Sequence, residues 1–429
     1  MSKTPSAISD ARGLGRLVGW SQHPDILLAM MGQTFINMLG VGIVGPVLPL
    51  YAQSFGVGAT MVGLLTAIFG IARIPVNVPA GTLAERIGRK PLLVIGPLIM
   101  GLASGLTGLA ADFGQLLALR CLQGIGSGLQ MTAAMIVMAD ISTSEDRGRT
   151  MSLYQGALLL GTSVGPMIGG FVGEWLGYRA PFFVYAGLTL CSATWAHFAV
   201  SETRGLNSPV AAPVAKQAST EPRSRLDTLR ALLDPNFLLI GLVTLSIFFT
   251  RSGSQNTVLP LFGAARLKIG PAKLGYGFSS IALLNLLTIN TAGVACDRFG
   301  RKVVIVPSCL LIGVAIASFT LGTTYLHFLL SCMLLGVATG IGGPAPAAYV
   351  SDLNLPGGRG LSMGVFRTMG DIGMAIGPVL LGWISDHLGY NAALYTNATL
   401  LFITTAAFGL LARETGGRRM TARCEVTEG

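Results

Sequence analysis

Apolar stretches close to the ~20 residues that a helix needs to cross a bilayer recur twelve times along this chain of 429 residues. They run near 26–51, 58–80, 91–110, 114–138, 152–176 and 181–200, then near 236–262, 274–296, 303–323, 325–350, 361–385 and 391–411. With 51% of residues hydrophobic and only 11% charged, so much apolar surface exceeds what a soluble core of this length can bury. The expected fold class is therefore an all-α integral membrane protein of twelve transmembrane helices in two six-helix bundles. The bundles are expected over 26–200 and 236–411, flanked by a segment 1–25 and a tail 412–429 and joined by a linker 201–235. The linker run "NSPVAAPVAKQASTEPRSR" is Pro/Ser/Ala-rich. In "RLDTLRALL", Leu226, Leu229, Leu232 and Leu233 share one helical face, as in a short helix lying on a membrane surface.

Charge orients these spans. Of 29 Lys and Arg residues, 21 fall in the termini, the linker and the loops after even-numbered spans, 4 in the opposite loops (Arg179, Arg266, Lys268, Lys273) and 4 inside spans. By the positive-inside rule both termini and the linker are expected in the cytoplasm, with the protein multi-pass in an inner membrane. The net charge of +10 does not point to nucleic acid, because the basic residues sit in short runs between apolar segments without a basic face or base-stacking aromatics. No Gly-x-x-x-x-Gly-Lys-Ser/Thr phosphate loop is present, and "GIGSG" at 124–128 lies inside an apolar span with no preceding strand. Neither a close Cys/His pair nor a nucleophile–base constellation stands out, so no metal, cofactor, structural disulfide or enzymatic activity is expected. The four histidines fall near span ends, away from a buried proton relay.

The chain is also duplicated. "GTLAERIGRK" at 81–90 returns as "GVACDRFGRK" at 293–302, and "VLPLY" at 47–51 returns as "VLPLF" at 258–262. Asp140, Arg147, Pro166 and "LGY" at 176–178 return at Asp352, Arg359, Pro378 and 388–390. Two copies of one six-span bundle leave a cavity at their interface, and rocking one against the other exposes that cavity to each side in turn.

At these residues the chain resembles the major facilitator superfamily, over essentially its whole length. Residues 81–90 and 293–302 match the family signature after spans 2 and 8, with Glu85 in place of the usual Asp and Asp297 keeping it. "RCLQGIGSG" at 120–128 matches the span 4 pattern. "GTSVGPMIGG" at 161–170 matches the core of the span 5 signature of drug:proton antiporters. The resemblance implies an alternating-access secondary transporter, with gating by Gly81, Glu85, Arg86, Gly88 and Arg89 and by Gly293, Asp297, Arg298, Gly300 and Arg301. Glu85 is the expected latch between the halves, facing the start of the eleventh span near Gly360, where a helix N-terminus carries partial positive charge. Gly161, Gly165, Gly169 and Gly170 let helices approach closely and Pro166 bends the fifth span. Anchoring by the basic residues and plain helix packing remain alternatives for both signatures.

Intramembrane charge narrows the site. Arg73, Arg120, Arg251 and Arg367 would each cost about 2.5–3.5 kcal/mol facing lipid at mid-membrane, so they must face protein or water. Only Asp371 is an equally deep acid, four residues after Arg367 and on the same helix face. Arg120 and Asp371 are the coupling candidates. Arg73, Arg251 and Arg367, with the amides Gln33, Asn37, Gln123, Asn285 and Asn290, are the candidates for contacting substrate, although each amide can instead serve a helix-to-helix hydrogen bond. Tetracycline/proton antiporters, which "MLGVGIVGPVLP" resembles, carry an acid where Asn37 stands, so that first-span proton site is missing. The leading expectation is proton-coupled export of a small amphipathic molecule by a monomer. A transporter of organic anions is the alternative, and a membrane scaffold or sensor that moves nothing is an alternative of another class.

Overall fold

A computed structural model describes residues 21–143, 146–206, 234–343, 345–353 and 359–415, with positions 78, 290 and 359–361 described by backbone only. The surface-helix expectation at 226–233 and Cys424 lie outside the described residues, as does the side chain of Asn290. Among the described residues twelve helices are long and apolar enough to span a bilayer. In chain order they are α1 Pro24–Val44, α2 Ala59–Ile87, α3 Lys90–Gly108, α4 Phe113–Asp140, α5 Arg147–Leu176 and α6 Ala180–Ala199. The second set is α7 Pro235–Arg266, α8 Pro271–Phe299, α9 Arg301–Ser318, α10 Tyr325–Asp352, α11 Arg359–Leu388 and α12 Tyr390–Leu411.

Local chemistry sets the boundaries. Proline supplies the missing-donor start of α1, α3, α6, α7 and α8. Asp112, Asp234 and Thr324 cap α4, α7 and α10 by accepting backbone N–H bonds. The first span ends sooner than its apolar run, at Val44, and a separate short helix Leu48–Gln53 follows. Pro46 and Pro49 remove two backbone donors there, which interrupts the ladder although hydropathy continues. In the duplicated signature Gly88 and Gly300 take φ of 102° and 107°, so each turn into the next helix uses a conformation that side chains rarely adopt.

Each half packs the same way. α1 lies on α5 and α6, and α7 lies on α11 and α12; across the halves α5 meets α8 and α2 meets α11. The α1–α5 contact explains the small-residue run. A Cβ on Gly161 would come within 2.7 Å of the Phe35 carbonyl oxygen, one on Gly165 within 2.5 Å of that of Leu39, and one on Gly169 would collide with that of Ile43. Gly170 points the other way, onto Pro271 of α8. Without a hydrophobic driving force between helices in lipid, such backbone approach supplies the dispersion contact that holds the bundle.

Gly169→Val is accordingly expected to lower the melting temperature in detergent sharply, because overpacking against a backbone carbonyl costs about 1–3 kcal/mol or more. Gly156→Ala on the same helix, where a Cβ meets no heavy atom within 4 Å, should melt at or above the wild-type temperature.

Candidate functional site

The halves touch along only part of their length. At the face opposite the termini, Gly63 of α2 rests on the Pro378 carbonyl of α11, and Gly275 of α8 rests on that of Pro166 of α5. These two crossings are equivalent copies, because both pairs are related by the duplication. Asp386 at the end of α11 accepts hydrogen bonds from the Ala59 and Thr60 amides at 2.7 and 2.8 Å and from the Thr60 hydroxyl. Its counterpart Glu174 at the end of α5 accepts from the Ala272 amide at 2.8 Å. Each carboxylate thus caps the N-terminus of a helix in the other half, where the helix dipole favours negative charge. Met167 N–H donates to Ser279 Oγ at 3.0 Å, and the Thr66 and Thr257 hydroxyls meet at 3.2 Å, further across the same closed end.

Toward the face bearing the termini the halves part. Gly81, Gly156, Gly293 and Gly364 have no heavy atom within 4 Å of where a Cβ would sit. The signature residues there are held inside each half. Arg89 pairs with Asp140 at 3.0 Å, while its amide and that of Lys90 donate to Glu202 at 2.9 and 3.1 Å. In the second copy Arg301 pairs with Asp352 at 3.1 Å and with Asp297 at 2.6 Å, and Glu414 accepts from the Lys302 and Val303 amides at 2.8 and 3.2 Å. Burial pushes the Glu202 carboxyl up, but the N–H groups of Arg89, Lys90, Arg204 and Thr203 outweigh it and hold the group below its ordinary value. The copies differ at one point. Asp297 is committed to Arg301, whereas Glu85 is exposed and has no ion-pair partner among the described residues. Arg86 is exposed with its carbonyl accepting from Arg204, and Arg298 lies 5.6 Å from the Phe299 ring.

The intramembrane arginines separate into groups. Arg120 stays within the first half: its guanidinium lies 4.6 Å from the Phe69 ring centroid and donates to Gln123 Oε1 at 2.7 Å, and Gln123 in turn donates to Thr107 at 3.2 Å. Gln33 and Asn37 are buried as well, Gln33 donating to the Leu93 carbonyl at 2.8 Å and Asn37 with neither amide atom bonded among the described residues. Asn285 donates to Thr339 between α8 and α10 at 3.2 Å. Arg73 donates to the Met131 sulfur of α4 at 3.1 Å and also lies within electrostatic reach of Arg367 and Asp371 in the other half. Gly70 of α2 lies against Met374 of α11, and one turn toward the open face Arg73 enters the electrostatic reach of both Asp371 and Arg367. α11 shows two exposed stripes at this depth. One is apolar, Ile372, Ile376 and Leu380, and suits lipid; the other carries Arg367 and Asp371 and belongs in the opening between the halves. Arg251 stands apart in α7, in a nine-residue π-helical stretch Thr250–Val258 that the sequence reading did not foresee.

Two like-oriented six-helix bundles closed at one end around a charged opening define a multi-pass membrane transporter of small molecules. The sequence profile of the Major Facilitator Superfamily matches residues 30–288 and 242–423, and the chain belongs to that family. It is 27% identical to an uncharacterised MFS-type transporter of Methanocaldococcus jannaschii, over 83% of this chain and 90% of the relative. It is 25% identical to multidrug resistance protein 2 of Bacillus subtilis, over 85% of this chain and 90% of that one. Among solved structures it superimposes on a bacterial homologue of the human lysosomal transporter Spinster, in an inward-facing, unoccupied conformation, with a TM-score of 0.75. That match has 16% identity and covers 90% of this chain and 96% of the other.

Removing both caps, Asp386→Asn with Glu174→Gln, is expected to loosen the closed face. Double electron–electron resonance between spin labels on the α2 and α11 ends of that face should show a longer distance population. An unchanged distribution would exclude a holding role for the carboxylates.

Proposed function

We propose that this transporter exports a small amphipathic molecule in exchange for protons, with Asp371 as the coupling carboxylate. The observation that carries the reading is the convergence of Arg73, Arg367 and Asp371 at the inner edge of the α2–α11 crossing. There one acid lies within electrostatic reach of an arginine from each half, so pivoting of the halves alters the balance between its ionised and protonated forms. Exchange requires that substrate and proton exclude each other: Asp371 stays ionised beside the arginines while substrate occupies the opening and takes a proton once the opening is empty. The 21-to-4 asymmetry of basic residues supports an orientation with termini and linker in the cytoplasm of a bacterial-type inner membrane. In that orientation the conformation described is open to the cytoplasm.

Glu85 has the converse role in this scheme. Its uncommitted carboxylate is available to meet the N-terminus of α11 when the cytoplasmic face closes, as Asp386 meets that of α2 on the opposite face. Gly81 and Gly293, where an added Cβ would meet open space, then provide room for the approach. A second reading, transport of an organic anion, is favoured by the excess of arginine over acid in the opening. The multidrug name of the Bacillus relative supports the first.

Asp371→Asn is expected to keep substrate binding and exchange in proteoliposomes but to lose accumulation driven by a pH gradient. Gradient-driven accumulation at the wild-type rate would remove Asp371 as the coupling group. Arg367→Ala should weaken binding, more for an anionic compound than for a neutral one. Glu85→Gln, by contrast, should depopulate the state closed at the cytoplasmic face in spin-label distances across that face; an unchanged population would refute the latch.

A further inference from the structure

Within the first span of each half the register differs by one residue, and the place of disagreement is beside Arg251. In the first half, Gly165 of α5 rests on the Leu39 carbonyl and against Gly42 of α1. In the second, the equivalent Gly377 of α11 rests on the Phe249 carbonyl and against Gly253 of α7. Three positions separate Leu39 from Gly42, but four separate Phe249 from Gly253. Because the same glycine fixes both ends of each interval, α7 carries one residue more than α1 between two anchored points. An α-helix cannot hold an extra residue without rotating everything beyond it by about 100°, since a turn takes 3.6 residues. The π-helical stretch Thr250–Val258 absorbs it, with i→i+5 bonding seen in the Leu259 amide donating to the Ser254 carbonyl.

The hydroxyl residues around the extra position are each committed to a neighbour. Thr250 and Ser254 bond to Asn397 of α12, Ser252 bonds to the Met374 carbonyl of α11, and Thr257 meets Thr66 of α2. Arg251 is the one charged residue of the stretch: exposed, at mid-span, and without a hydrogen bond or ion pair among the described residues. A lipid-facing guanidinium would cost about 2.5–3.5 kcal/mol, so the free face must look into the opening. Asn256, one π turn further on and therefore on the same face, is also exposed. Ser252 ties this turn to α11 three residues beyond Asp371, which sets it at the depth of the charged group already described.

We propose that the one-residue insertion in α7 builds an anion-recognition site, in which the Arg251 guanidinium and the Asn256 carboxamide bind a carboxylate or sulfonate group of the transported molecule. The proposal rests on the transport reading above and names its substrate class. The guanidinium supplies a planar pair of N–H donors that match such a group, and the carboxamide adds a neutral donor beside it. Committing Thr250, Ser252 and Ser254 to α11 and α12 holds the turn rigid, so little ordering is left for the ligand to impose.

The test is binding to the detergent-purified full chain of three dansyl compounds that share one fluorophore: dansylglycine with a carboxylate, dansylglycinamide with a neutral amide and dansylcadaverine with an ammonium. The carboxylate is expected to bind about tenfold or more tightly than the amide, the ratio that one charge-assisted hydrogen bond supplies. In Arg251→Gln that preference should collapse while affinity for the amide is kept; Arg251→Lys should keep part of it, and Asn256→Ala should reduce it less than Arg251→Gln. A wild-type protein that does not prefer the carboxylate, including one that binds neither probe, overturns the proposal. So does a preference that survives Arg251→Gln, or a loss that strikes all three probes equally and so marks a structural role. No gradient enters these measurements, so their failure leaves the Asp371 coupling experiment standing, and failure of that experiment leaves a measured anion preference intact.

Discussion

The closed seam between the halves is the constraint on which the rest depends. Lipid offers no hydrophobic gain for helix association, so the halves are joined by backbone approach at Gly63 and Gly275 and by carboxylates on helix N-termini at Asp386 and Glu174. Each such cap contributes about 0.3–1 kcal/mol at an exposed helix end. A seam made of a few small terms is strong enough to define a state and weak enough to be exchanged for a similar seam at the other end. The duplication makes the exchange balanced, because each crossing has its copy and the halves meet as near equals.

Within each half the logic is the opposite. The Arg89–Asp140 and Arg301–Asp352 pairs and the Glu202 and Glu414 caps fasten α3 and α9 to their own bundles. The glycine contacts of α5 on α1 and of α11 on α7 admit no side chain. Rigid bundles joined by a replaceable seam move as bodies, which is the condition for hinge-like motion rather than local melting.

Most of the fold was legible in the sequence, because span length and hydropathy report directly on the bilayer and the signature turns need glycine at Gly88 and Gly300. What was missed lies in pairings. Glu174, Asp386, Glu202 and Glu414 look like ordinary loop charges when counted, and only their partners give them work. A signal was nevertheless present, since Glu174 recurs as Asp386 and Glu202 as Glu414 in the same duplication that carries the signature. Gln33, Asn37 and Gln123 show the reverse difficulty: hydropathy cannot tell an amide that faces a cavity from one buried between helices. The π turn was not legible at all. "TRSGSQNT" reads as a polar interruption, and the extra residue shows only when the packing of Gly165 and Gly377 fixes the register on both sides of it.

The charged group at the seam gains its significance from position rather than from its chemistry alone. A carboxylate deep in one bundle would keep its partners through the whole cycle, and a carboxylate in open water would respond to nothing. Asp371 sits where α2 and α11 begin to diverge, with Arg367 on its own helix and Arg73 on the opposing half. The first arginine travels with it, so that interaction is nearly constant. The second does not. At an effective dielectric near 20, bringing a unit charge from about 8 Å to 4 Å changes the interaction by about 2 kcal/mol. A pivot of the halves therefore changes the electrostatic surroundings of this acid, and it requires no more than the rocking that the seam already permits.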